Sequence, residues 1–61
     1  MSELPEELAA ALAAAPDANA AFEALPPSHR REYVQWVAEA KKAETRVSRA
    51  EKAVQRLRDN A

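Results

Sequence analysis

His29, Tyr33 and Trp36 are the chain's sole histidine, tyrosine and tryptophan. On a helix, Tyr33 lies one turn after His29 and Trp36 two turns after it, so the three share a face. Imidazole changes charge near neutral pH, so this trio could form a small aromatic pocket with one titratable group. Basic residues flank it. Arg30, Arg31, Lys41, Lys42, Arg46 and Arg49 could offer charge-assisted hydrogen bonds to carboxylates or other anions. The hydroxyls are Ser2, Ser28, Tyr33, Thr45 and Ser48. Only Ser28 and Tyr33 come near His29 by helical spacing, so no nucleophile, base and orienting group can be assembled. The chain has no Gly and no Cys, which removes glycine-rich phosphate loops and disulfides. One His without Cys argues against a zinc site. No catalysis, metal or cofactor is expected. The bland reading of the trio is core or core edge, and the sharper one is an aromatic surface for binding.

The elements that must position these residues are constrained by size. Sixty-one residues make one domain, and so small a domain buries only about 60% of its unfolded surface. Apolar residues are 48% of the chain, but sixteen of them are Ala. The core must therefore rely on few large side chains. Close helix packing, self-association as a homodimer, or docking onto something larger could make up the shortfall. No segment approaches the ~20 apolar residues of a membrane span. The N-terminus has no basic region followed by an apolar run, so no secretory signal is expected. The expected address is the cytoplasm.

Without Gly, the four prolines are the strongest punctuation. Pro5 suits a first helical position, with Glu6 and Glu7 in the favourable first turn. Leu4, Leu8, Ala11, Leu12 and Ala15 then follow one apolar face. Pro16 opens a second, shorter helix bearing Ala18, Ala21, Phe22 and Leu25. Pro26-Pro27 ends it at an extended corner. A third helix begins with Pro27 as its first residue or with Ser28 as its cap; the sequence leaves both open. Its apolar residues, with His29, spread over an arc of about 160°, which marks it as the expected central helix. Near Lys41–Glu44 the pattern changes phase. In a fourth helix Val47, Ala50, Val54 and Leu57 form a narrow seam. The expectation is an all-α bundle of four helices without a sheet, at about 5–14, 16–24, 28–41 and 43–58, with Asn60-Ala61 frayed.

Net charge is −1, yet residues 1–27 hold five acids and no Lys or Arg, while residues 28–61 hold nine Lys or Arg against five acids. On the fourth helix Lys42, Arg46, Arg49 and Arg56 fall within about 80°, roughly 90° from the apolar seam. This stripe is either a solvated flank that offsets the acids or a ridge for an anionic partner. No aromatic is interleaved with it, as single-strand binders require, and the overall charge also counts against nucleic acid.

Ser28-His29-Arg30-Arg31-Glu32-Tyr33-Val34, then Trp36, Glu39-Ala40-Lys41, Glu44-Thr45-Arg46 and Arg49 resemble the C-terminal helical segment of the bacteriocin-protection family, also called YdeI or OmpD-associated. Leu4-Pro5-Glu6-Glu7-Leu8 and Ala20-Ala21-Phe22-Glu23-Ala24-Leu25 look like its lead-in helices. Pro26, Ala43 and Ala50 depart from residues often found there. Many members carry a larger N-terminal domain, so residues 1–61 resemble the C-terminal module of a larger protein. The resemblance implies a fold and a stress-tolerance context, with no reaction attached.

The resulting expectation is a non-enzymatic interaction module that binds a protein or anionic partner through the basic Lys41–Arg49 corner. Arg30, Arg31, Lys41, Lys42, Arg46 and Arg49 would make the contacts, and His29, Tyr33 and Trp36 would shape the neighbouring surface. The alternative is a small nucleic-acid-binding protein using the same ridge.

Overall fold

A computed structural model describes residues 4–59; Met1–Glu3 and Asn60-Ala61, the latter expected to fray, lie outside them. The chain forms α1 (Glu6–Ala13), α2 (Pro16–Ala24), α3 (Pro27–Ala38) and α4 (Ala43–Asp59), with no strand among the described residues. Prolines set the starts of the first three helices. Pro5 sits just outside α1, and its carbonyl accepts the first helical bond from Ala9 N–H at 2.9 Å. Pro16 and Pro27 are the first residues of α2 and α3, where a missing N–H costs nothing. Ser28 therefore falls inside α3 and caps nothing. Each residue before a proline is forced out of the helical region. Leu25 (ψ 150°) and Pro26 (ψ 152°) make the extended corner between α2 and α3.

The helix ends diverge more from the expectation. Helix α3 stops at Ala38, short of the expected residue 41. Glu39 keeps helical angles and donates to Gln35, and Ala40 N–H closes onto Val37 O at 3.2 Å. The chain then bends through Lys41 and Lys42, and Lys42 O accepts the first bonds of α4. None of the described residues has positive φ. A chain without glycine lacks the left-handed cap that commonly closes helix ends, and side chains from α4 take over that task.

The expected hub is also corrected. Helix α4, not α3, packs against all three others, and α1 also packs on α2. The core comprises Leu8 and Leu12 of α1, Ala15 just before α2, Ala18 and Phe22 of α2, Val37 of α3, and Ala50, Ala53 and Leu57 of α4. On α4 the buried face is centred about 50° round from the expected seam, toward the basic stripe. Ala53 is buried, while Val47 is 45% exposed. Alanines at 50 and 53 let neighbouring helices approach α4 closely. Helix α3 buries only Val37 fully. Its Tyr33 is half-buried and meets Phe22 edge-on, with ring centroids 6.3 Å apart at 70°, a favoured aromatic geometry. No described helix is long and apolar enough to cross a membrane.

Candidate functional site

The rotation of α4 decides what its arginines do. Because the buried face turns toward the stripe, Arg46 and Arg49 are drawn to the edge of the core. Arg46 Nε donates to Glu7 Oε2 of α1 at 3.2 Å. Its Nη1 donates to Ala40 O and Lys41 O, each at 3.0 Å. Arg49 Nη1 donates to Trp36 O in the last turn of α3 at 2.7 Å, pairs with Glu39 at 3.5 Å, and lays its guanidinium 5.3 Å from the centre of the Trp36 ring. Two arginines of α4 thus satisfy carbonyls at the end of α3 and in the following turn. A cation there also suits the negative end of the helix dipole. These two were expected to meet a partner; the structure engages their donors within the fold.

The other expected contacts stay outside. Lys41 and Lys42 project from the turn, Arg31 is exposed and Arg30 is half-buried. None of the four makes an ion pair among the described residues. His29 is exposed, and Trp36 is 38% exposed.

The structure brings the three rings of α3 together with residues that the sequence did not single out as a site. A groove of about 630 Å³ runs between α3 and α4. His29, Glu32, Tyr33 and Trp36 line it from α3, Lys52 and Arg56 from α4, and Leu25 from the corner before α3. Moving back along α3 from Trp36 to Tyr33 to His29 means moving forward along α4 from Arg49 to Lys52 to Arg56, as in an antiparallel hairpin. The short turn at Lys41–Lys42 sets that register. Arg56 belonged to the basic stripe, but Lys52 lay outside it. The hairpin register itself could have found Lys52, since it pairs Tyr33 with that position.

Two carboxylates elsewhere tie the helices together. Glu7 is held below its ordinary pKa by its own backbone N–H and by Arg46. Asp17 is held below its own by the hydrogen bond from Arg58 Nε at 3.0 Å, and further by the Ala18 N–H. A carboxyl depressed in the folded state adds stability above its unfolded pKa, and that stability is lost as pH falls through the lowered value. The melting temperature is therefore expected to hold from neutral pH to the ordinary carboxylate range near about 4, and to fall below it. Thermal circular dichroism across acid pH checks this. The Arg58→Ala variant should show a shallower decline than the parent.

The family described as bacteriocin-protection, YdeI or OmpD-associated matches residues 1–60. The chain is similar to a Bacillus subtilis (strain 168) protein described as uncharacterized protein YdeI, with 43% identity over 56 residues. That match covers 92% of this chain and 28% of the relative, so the chain spans a little over a quarter of the relative's length. No solved structure matches the chain.

Proposed function

Because the chain belongs to the bacteriocin-protection, YdeI or OmpD-associated family, we propose that it is a non-enzymatic interaction module that binds an acidic protein surface in the cytoplasm, in a setting of bacteriocin tolerance. The observation that carries this reading is a partly exposed Trp36 on the same helical hairpin as Lys41 and Lys42, two cations without an ion-pair partner among the described residues. Tryptophan and arginine dominate binding surfaces because they bring large contact area and directional donors together. Here Arg49 fixes Trp36, and the lysines supply charge. The corner proposed from sequence is thereby divided. Arg46 and Arg49 build it, while Lys41 and Lys42, with Arg30 and Arg31, are free to contact a partner.

The test uses defined polyanions. The parent is expected to be retained on immobilised poly-glutamate at low salt, and Lys41→Glu/Lys42→Glu is expected to lose several-fold in retention. Its helical circular dichroism should be unchanged, because both lysines are exposed. Equal retention of parent and variant would show that the turn is not the contact surface. Retardation of mixed DNA and RNA with a steep salt dependence would favour phosphate recognition instead.

A further inference from the structure

The α3–α4 groove has the size of a ligand site and a charge pattern that discriminates among occupants. At about 630 Å³ it lies within the usual range of roughly 300–1,000 Å³ for specific pockets. Leu25, Tyr33 and Trp36 give it an apolar lining, while Lys52 and Arg56 give the α4 wall two positive charges. Those cations are exposed and form no ion pair among the described residues. They stand one helical turn apart, a rise of about 6 Å. That matches the span of about 6.6 Å between alternate side chains of an extended chain.

We propose that this groove holds an extended acidic peptide segment, with carboxylates at alternate positions on Lys52 and Arg56 and one bulky apolar side chain against Tyr33 and Trp36. This rests on the interaction-module reading and names its partner's chemistry. One observation favours a peptide over a nucleic acid: Arg49 already lies over the Trp36 ring, on a face where a base would stack. Trp36 is also preset, since Arg49 is anchored to both the Trp36 carbonyl and Glu39. Preorganisation lowers the ordering cost of binding.

The single tryptophan supplies the readout, because its emission responds directly to groove occupancy. A short synthetic peptide of Glu, Asp and Ser around one central Phe is titrated into the full chain, by emission and by calorimetry. Saturable binding with a blue-shifted Trp36 emission is expected. Changing Phe to Ser, or Glu and Asp to Gln and Asn, should abolish it. In Lys52→Glu/Arg56→Glu, affinity should fall roughly tenfold or more, with circular dichroism and melting as in the parent. Calorimetric binding that leaves Trp36 emission unchanged and is indifferent to Lys52→Glu/Arg56→Glu would overturn the groove assignment while leaving the interaction module standing. Saturable quenching by oligothymidylate with no peptide binding would overturn both.

Discussion

Leu8→Ala is expected to abolish most of the folded population at physiological temperature. Leu8 is completely buried, among the largest side chains in that state. Truncating a buried leucine costs about 2–5 kcal/mol, from lost transfer energy and the cavity left behind. A chain of this length has a net stability of only about 3–9 kcal/mol, so the loss is comparable to the whole. Few large residues surround the site. Half of the remaining core cluster is alanine (Ala15, Ala18, Ala50 and Ala53), and alanines cannot swing in to refill a cavity. The melting temperature should fall by about 10 °C or more, read by circular dichroism at 222 nm (the helical minimum). Val47→Ala is the control. Val47 is 45% exposed, and its truncation should change stability by no more than a few tenths of a kcal/mol. If the two variants melt alike, the core is not where the structure puts it.

That contrast also marks what the sequence could and could not reveal. Helix starts were legible because proline acts locally: its ring fixes φ and constrains the residue before it. Fold class was legible because the stretches that follow the prolines carry helical apolar periodicity and no glycine. The inward face of α4 was not. A seam chosen by side-chain size takes Val47 and passes over Ala53, yet close helix approach favours the smaller residue. The width of α3's apolar arc misled for a related reason. An arc shows which side chains are apolar and not whether another element covers them; here Val37 is covered, Tyr33 is half-covered and Trp36 borders a groove. The candidate site inherits both errors. With α4 turned about 50°, Arg46 and Arg49 move from a free ridge to the core edge, and Lys52 and Arg56 come to face the aromatic residues. One clue was present in the sequence. No Gly or Asn stands near the end of α3, so the carbonyls there had to find donors elsewhere.

Arg46→Ala is expected to destabilise the fold by about 2 kcal/mol, the scale of charge-assisted bonds to carbonyls discounted for the side chain's partial exposure. Geometry matters more than charge at this site. The Arg46 guanidinium bonds Glu7 of α1 and two successive carbonyls of the α3–α4 turn at once. A lysine in its place keeps the charge but loses the planar fork that reaches both carbonyls and the carboxylate. Arg46→Lys should therefore recover only part of the loss, whereas a purely coulombic role would let it recover nearly all. A double-mutant cycle with Glu7→Gln separates the contributions. If the carbonyl bonds dominate, Arg46→Ala remains costly in the Glu7→Gln background. Arg49→Ala gives an independent reading at the same helix end. It strips the guanidinium from the Trp36 ring and frees the Trp36 carbonyl, so Trp36 emission should shift to the red. Should Arg46→Ala melt like the parent, Arg46 would return to the surface as a cation available to a partner, and the α3–α4 turn would need some other explanation for its closure without glycine.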